Sequence, residues 1–146
     1  MMLSKTCDYG IRASLYIATQ TERTFVPVRE ISQQLGISFH FLTKILQILT
    51  RKNILTSYRG PNGGVGFALP PENISLKDVI VAIDGTAIFE QCILGLNQCS
   101  DENPCPLHNE WKKIKTQMEQ LFGNTTLASL AENMASGGFR ITNLAE

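Results

Sequence analysis

The sequence predicts a mostly α-helical fold with one small β-hairpin wing, namely a winged helix-turn-helix followed by a long C-terminal dimerisation helix. Two short stretches with helical apolar periodicity meet at residues 35–37, and a tight turn with a central glycine there is typical of a helix-turn-helix. Two strand-like stretches follow directly and flank a glycine-rich turn at 60–64, as expected for a wing. Nearer the C-terminus, apolar residues recur with the spacing of a helix that pairs with another helix.

The composition is that of an ordinary globular protein outside the membrane. The chain has 146 residues, 43% of them hydrophobic, and its mean hydropathy is close to zero. The N-terminus lacks an apolar signal core, and no run approaches the ~18 apolar residues that span a bilayer. We therefore expect a cytoplasmic location and no contact with a membrane.

The formal net charge of zero conceals a difference between the two halves of the chain. Residues 1–70 carry eight Lys and Arg against three acidic residues, a balance of +5. Residues 71–146 carry five basic residues against ten acidic ones, a balance of −5. The split suggests that the first half meets a polyanion and the second half does not.

The first predicted helix covers residues 4–20. Ser4 is a suitable N-cap, and Cys7 and Ile11 belong to an apolar stripe with steps of four, four, four and three residues. Because Cys7 lies on that stripe, we expect it to act as a small buried hydrophobic residue.

The helix-turn-helix begins after Pro27. Its first helix ends at Gly36, and Ser38 caps the second. The second helix carries apolar residues on one side and polar residues on the other, and it offers the N-terminal part of its polar side to the major groove of DNA. Two strands, 54–59 and 65–69, then form the wing, with Arg59 near its tip, where an arginine can enter the minor groove. The predicted contacts with a double-stranded DNA operator are Ser38, His40, Thr43, Lys44 and Arg59.

The second half begins with a capping box at Ser75 and Asp78, which starts a helix that stops before Gly85. A loop follows over residues 86–106. The next helix carries an apolar seam two heptads long, and a last short helix runs from about 126 to 134. We therefore divide the chain into a DNA-binding domain (1–84), a cysteine loop (85–106) and a dimerisation helix with a C-terminal helix (107–146). The seam predicts a homodimer, and packing against the protein's own core is the alternative. Its residues are Leu107, Trp111, Ile114, Met118 and Leu121.

Three of the four cysteines lie in the loop before the seam helix. Cys92, Cys99 and Cys105 are separated by six and five residues, and His108 follows. These gaps are longer than those of a zinc knuckle and suit a loop around a larger inorganic core such as an iron–sulfur cluster. The alternative is one disulfide with a spare thiol. Because nothing in the sequence signals export, the pattern favours a metal or a cluster.

The arrangement predicts a DNA-binding regulator, in our interpretation a repressor, whose affinity responds to the metal. Loss or oxidation of the metal centre would change the order of the loop and the setting of the two halves. We find no phosphate-binding glycine loop, nucleophile elbow or paired-carboxylate helix, so we expect no enzyme. The alternatives are a cluster-free regulator that uses thiols or zinc on the same fold and, with least support, a small electron-transfer protein or metalloenzyme.

Four parts of the sequence resemble the IscR/NsrR family of bacterial winged-helix regulators that sense through iron–sulfur clusters. They are Thr-Cys-Asp-Tyr-Gly-Ile-Arg at 6–12, Arg-Gly-Pro-Asn-Gly-Gly at 59–64, the cysteine triad, and Asn-Thr-Thr-Leu-Ala-Ser-Leu at 124–130. The resemblance implies a homodimer with one [2Fe–2S] or [4Fe–4S] cluster per subunit. It also implies control of genes for cluster assembly, nitric-oxide defence, or iron and sulfur metabolism.

The resemblance further implies that Cys92, Cys99 and Cys105 supply the cluster thiolates. IscR-like members place the fourth ligand at His108, whereas NsrR-like members use an aspartate of the partner subunit, here Asp8. The chain departs from the IscR-like pattern in its first cysteine gap, which has six residues rather than five, and in Thr43-Lys44, where a Glu-Gln pair is expected. Cys7 beside Asp8 adds the hypothesis that this thiol replaces the aspartate or forms a regulatory disulfide.

Overall fold

The computed structural model describes residues 2–143, and the predicted mostly helical fold with a small hairpin is confirmed. No helix in this range is long and apolar enough to cross a bilayer. The two strands form one antiparallel sheet. The elements in chain order are α1 Lys5–Thr19, α2 Val28–Leu35, α3 Phe39–Arg51, β1 Leu55–Tyr58, β2 Gly64–Phe67, α4 Leu76–Asp84, α5 Ala87–Glu90, α6 His108–Asn124 and α7 Leu127–Ala135.

Local capping begins and ends the helices where the sequence predicts. The Ser4 hydroxyl accepts from the Cys7 N–H at 3.0 Å, and the Ser38 hydroxyl accepts from the Phe41 N–H at 3.2 Å. Gly36 adopts the left-handed conformation with φ of 65°, which ends α2 and turns the chain into α3. The capping box at the start of α4 is also formed. The ends of these helices are therefore set by contacts within a few residues.

The wing is an antiparallel hairpin that pairs Leu55 with Phe67 at one end and Tyr58 with Gly64 at the other. Its second strand also pairs with the segment before α2, since the backbones of Val26 and Val65 exchange two hydrogen bonds of 2.9 Å. A Cβ at Gly64 would lie 2.1 Å from the Val26 carbonyl oxygen, so only glycine permits this approach. The wing is thereby attached to the helix-turn-helix.

The last helix returns to the core of the N-terminal half. Helix α7 packs against α1, and its Leu127 is completely buried. The Leu127 N–H donates to the Ile74 carbonyl at 2.9 Å, and the Leu76 N–H donates to the Thr125 carbonyl at 2.8 Å. Helix α7 therefore contributes to the same apolar core as α1–α3, while the proposed division at 84 and 106 stays a prediction.

The predicted loop 86–106 contains one short helix that the sequence analysis did not predict. Residues Ala87–Glu90 form α5, in which Ile88 and Phe89 are buried against α4 and α6. Burial of these two large side chains outweighs the weak propensity of so short a helix. The irregular loop itself therefore runs over residues 91–107.

The apolar seam of α6 divides between two faces. Trp111 donates its indole N–H to the Gln91 carbonyl at 2.9 Å, and Met118 packs against the small core around Ile80 and Phe89. The other three seam residues are exposed, with 47% of Leu107, 51% of Ile114 and 61% of Leu121 accessible. Because a helix turns by 3.6 residues, positions seven apart share a face, and the two sets lie on adjacent faces. One face thus packs within the chain and the other is left open.

Candidate metal centre and nucleic-acid interface

The four predicted metal ligands of the cysteine loop lie at the junction of α5 and α6. Cys92 and His108 are buried, and Cys99 and Cys105 are partly exposed. All three cysteines are free thiols. The four side chains are spread over 17 positions of the sequence, and the structure joins them in two pairs.

The first contact in the loop joins the sulfurs of Cys92 and Cys105, which are 3.8 Å apart. The pKa of the Cys92 thiol is lowered, first by the backbone N–H groups of Leu96 and Leu94 and then by Cys105. Donors aimed at a sulfur stabilise its thiolate, which is the form that binds metals. These contacts thus favour the thiolate form of Cys92.

The second contact joins Cys99 to the imidazole of His108, with 3.4 Å between Sγ and Nδ1. The other ring nitrogen of His108 lies 2.6 Å from the Asp101 carboxylate, which Lys112 also holds at 2.9 and 3.0 Å. Lys112 first and His108 second lower the pKa of Asp101 to about 2. Asp101 is therefore ionised at neutral pH and orients the His108 ring.

The chemistry of this donor set fits an iron–sulfur cluster. Three thiols supply the preferred ligands, and a histidine whose second nitrogen meets a carboxylate is the usual form of a metal-binding imidazole. Over residues 2–143, however, no three Cys, His, Asp or Glu side chains are grouped closely enough to hold a metal ion. The Cys92–Cys105 and Cys99–His108 pairs must therefore come together for all four side chains to reach one cluster.

The predicted DNA contacts lie on one helix and the wing. His40, Lys44 and Arg59 are exposed. The Ser38 hydroxyl is used as the cap of α3, and the Thr43 hydroxyl donates to the Phe39 carbonyl at 2.8 Å. The three longer side chains are therefore accessible to solvent, whereas the two hydroxyls already bond backbone groups of α3.

Residues 3–133 match the family model described as Rrf2, iron-dependent transcriptional regulator. The chain belongs to the Rrf2 family. This membership confirms the resemblance drawn from the sequence, and it confirms the expectation of a DNA-binding transcription regulator that is not an enzyme, because the family consists of such regulators.

Individual relatives of this Rrf2 regulator cover nearly its whole length. An HTH-type transcriptional regulator of Aquifex aeolicus (strain VF5) is 33% identical over 132 residues, which are 89% of this chain and 91% of that protein. The IscR regulator of Sodalis glossinidius is 29% identical over 133 residues, which are 91% and 80% of the two chains. The structure of CymR, the global cysteine regulator of B. subtilis, has a TM-score of 0.75 at 24% identity and covers 90% of this chain and 96% of that one. The CymR likeness shows the shared fold.

The Rrf2 regulator holds the predicted alternative ligand Asp8 on α1. Its carboxylate lies 2.8 Å from the Arg12 guanidinium and 3.8 Å from the Lys5 ammonium. Ligation of a partner's cluster by Asp8 would have to compete with these two cations. The assignment of the fourth ligand to His108 or Asp8 stays a prediction.

Cys7 is completely buried, as the sequence predicts. Burial first, and the nearby carboxylate of Asp84 second, raise the pKa of the Cys7 thiol to about 12. A thiol with this pKa stays protonated at neutral pH, which makes it a poor ligand and a poor nucleophile. These surroundings oppose the hypothesis that Cys7 replaces Asp8 or forms a regulatory disulfide.

Arg29 is a candidate DNA contact that the sequence analysis missed. It is exposed at the start of α2, and its guanidinium lies 4.8 Å from the centre of the Phe39 ring. The contact places a positive charge beside the N-terminal turn of α3. The packing of α2 on α3 creates this arrangement, and the only signal in the sequence was the excess of basic residues in the first half.

Proposed function

We propose that this Rrf2 regulator is a repressor whose DNA affinity is set by an iron–sulfur cluster, [2Fe–2S] or [4Fe–4S], that senses nitric oxide, redox state or cluster supply. Cys92, Cys99, Cys105 and His108 would hold the cluster. The observation that carries the proposal is the contact of Cys99 with His108, whose other nitrogen is anchored by Asp101. When bound, the cluster would supply redox and ligand-exchange chemistry that the protein side chains lack.

The packing of the helices supports a route from the loop to the DNA-binding surface. His108 begins α6, α6 packs against α4, and α4 packs against both α1 and α3. An ion pair of 2.5 Å between Lys77 and Glu119 joins α4 to α6. A change in the loop that shifts α6 would therefore reach the recognition helix through a single intervening helix.

The DNA operator would meet α3 and the wing of each subunit. Ser38, His40, Thr43, Lys44 and Arg59 would make the contacts, with the exposed basic side chains binding phosphate or guanine edges. The exposed face of α6 supports a homodimer, because three large apolar residues there are exposed within residues 2–143. In such a dimer Asp8 of the partner subunit is the alternative fourth ligand.

The test of this function is anaerobic purification followed by an absorption spectrum and counts of iron and acid-labile sulfide. A coloured protein with stoichiometric iron and sulfide is expected. The same measurements on His108→Ala and Asp8→Ala identify the fourth ligand, since only the ligand variant should lose colour. DNA binding is then compared between the cluster-loaded and the cluster-free wild type, and equal affinities would contradict cluster control.

The second candidate function is a cluster-free regulator that uses the same cysteines as thiols or binds zinc. The separation of the four side chains into two pairs favours it, because each pair is satisfied without a metal. A colourless protein after anaerobic reconstitution, with DNA binding that still responds to oxidants or to zinc, would support this second function.

A further inference from the structure

We propose that Cys92 and Cys105 form a reversible disulfide in the metal-free protein, while Cys99 stays reduced beside His108. The disulfide rests on the contact between the two sulfurs, which are 3.8 Å apart with no other cysteine sulfur in hydrogen-bonding contact with either of them within residues 2–143. A disulfide bond is about 2.0 Å long, so a small movement of an irregular loop joins them. The loop is therefore a site of oxidation in which Cys92 pairs with Cys105.

The selectivity follows from what holds the third cysteine of the loop. The sulfur of Cys99 faces Nδ1 of His108, which is itself buried and anchored through its other nitrogen to Asp101. Cys99 would have to leave this contact before it could reach either of the other two sulfurs. Cys7 is excluded as a disulfide partner because it lies on α1 and is buried in the core beside Ile80.

The oxidation needs a two-electron oxidant, and hydrogen peroxide serves as this oxidant. Cys105 is partly exposed and Cys92 is only 6% exposed, so the oxidant meets Cys105 first. The Cys105 sulfur forms a bond to one peroxide oxygen as the O–O bond breaks, which yields a sulfenic acid and one water. The Cys92 sulfur then attacks the Cys105 sulfur, the S–O bond breaks, and a second water leaves. Two thiols lose two electrons and two protons, and the peroxide accepts both.

The consequence for the metal centre rests on the proposed function. A disulfide between Cys92 and Cys105 removes two of the three thiolates that would hold a cluster. The oxidised protein would then be unable to accept a cluster until a thiol reductant restored both side chains. If the cluster-free protein met peroxide, the loop would thereby stay oxidised.

The pairing is tested by peptide mapping of the metal-free wild-type protein. The protein is reduced, freed of reductant, treated with hydrogen peroxide and alkylated under denaturing conditions. Cleavage after Leu94 or Leu96 separates Cys92 from Cys99, and cleavage before Asp101 separates Cys99 from Cys105. Mass spectrometry without reduction should show a linked Cys92–Cys105 peptide and alkylated Cys99.

Two variants provide matched controls within the same loop. Cys99→Ser should keep the full disulfide yield, whereas Cys105→Ser should lose it. A link that involves Cys99 in the wild type, or alkylation of all three loop cysteines after peroxide treatment, would overturn the proposal.

Reconstitution with iron and sulfide separates this inference from the proposed function. The peroxide-treated protein should take up less than about a tenth of the iron bound by the reduced protein, and dithiothreitol should restore uptake. Failure of the reduced wild type to take up a cluster would contradict the proposed function and leave the mapped disulfide standing. Full uptake by protein that contains the mapped disulfide would overturn the inferred block.

Discussion

The His108 imidazole donates its Nε2–H to the Asp101 carboxylate over 2.6 Å. The direction of this bond follows from the ionised state of Asp101, whose pKa is lowered to about 2 and which can only accept. In the neutral imidazole the lone pair then lies on Nδ1, the nitrogen that faces Cys99 at 3.4 Å. The neutral form of His108 thus has an unprotonated ring nitrogen beside Cys99 at the start of α6.

Substitution of Asp101 tests this orientation. We expect the reconstituted cluster of Asp101→Asn to bleach about 10- to 100-fold faster than that of wild type when an iron chelator is added anaerobically. The reason is that His108 loses the ionised acceptor that anchors its ring. Glu102→Gln is the matched control, since it removes the adjacent exposed acid in the same loop. Equal bleaching rates for Asp101→Asn and wild type would contradict the role of Asp101.

The exposed face of α6 predicts the effect of a charge at Ile114. This side chain is 51% exposed within the chain, so Ile114→Lys should leave the helical circular dichroism unchanged. Sedimentation should show a dimer weakened by about tenfold or more, because a charge would be buried in an apolar contact. Lys113→Ala, on a neighbouring exposed position, should stay dimeric. A dimer of unchanged strength in Ile114→Lys would place the subunit contact elsewhere.

The wing arginine predicts a specific loss of DNA affinity. Arg59→Ala should bind an operator about tenfold more weakly and with relaxed preference in the adjacent minor groove, because one exposed guanidinium is lost near the tip of the wing. Arg140→Ala removes the same charge from the C-terminal segment and should bind normally. Fluorescence anisotropy at physiological salt measures both. Unchanged affinity of Arg59→Ala would exclude the wing from the interface.

The attachment of the wing predicts the effect of a methyl group at Gly64. The new Cβ would lie 2.1 Å from the Val26 carbonyl oxygen, so Gly64→Ala must move the strand and should lower the free energy of unfolding by about 1–3 kcal/mol. Gly123→Ala in α6 is the control, because the new Cβ would meet only the side chain of Lys77 on α4, at an ordinary contact distance of 3.9 Å. The control should be neutral or slightly more stable. Chemical denaturation measures the free energy of unfolding of both variants. Equal values would show that the strand moves away from Val26 without a measurable loss of stability.

The cluster of Arg23, Glu30 and Tyr16 predicts a dependence of stability on pH. Hydrogen bonds from Arg23 first and Tyr16 second lower the pKa of Glu30 from 4.5 to about 2. A carboxylate with a lowered pKa stabilises the fold above its ordinary pKa, and this contribution is lost as the pH falls toward about 2. Glu30→Gln should therefore lower the melting temperature by about 3 °C at pH 7, and the difference from wild type should shrink below pH 4.5.

The control for the pH experiment is Glu22→Gln, which removes an exposed carboxylate from the turn between α1 and α2. This variant should match wild type at every pH. A difference between Glu30→Gln and wild type that stays constant from pH 7 down to pH 3 would show that the ionisation of Glu30 plays no part.

The sequence determined the elements whose structure depends on neighbouring residues. The serines at 4, 38 and 75 cap helices through hydrogen bonds that span three residues, and the glycine at 36 needs only its own backbone freedom to end α2. Such contacts are local, so residue type and spacing suffice to predict them. The winged helix-turn-helix was predicted on this basis, whereas the cysteine site was predicted from the cysteine spacing and from the family resemblance.

Only the tertiary structure decided which side chains of the site meet. The contacts of Cys92 with Cys105 and of Cys99 with His108 cross an irregular loop that has no periodicity, so several pairings are compatible with the same spacing. Likewise, the burial of Met118 and the exposure of Ile114 depend on how α6 rotates against α4 and α5. Arg29 meets Phe39 only because two helices pack together. These contacts are set by the packing of the whole chain, which local spacing does not contain.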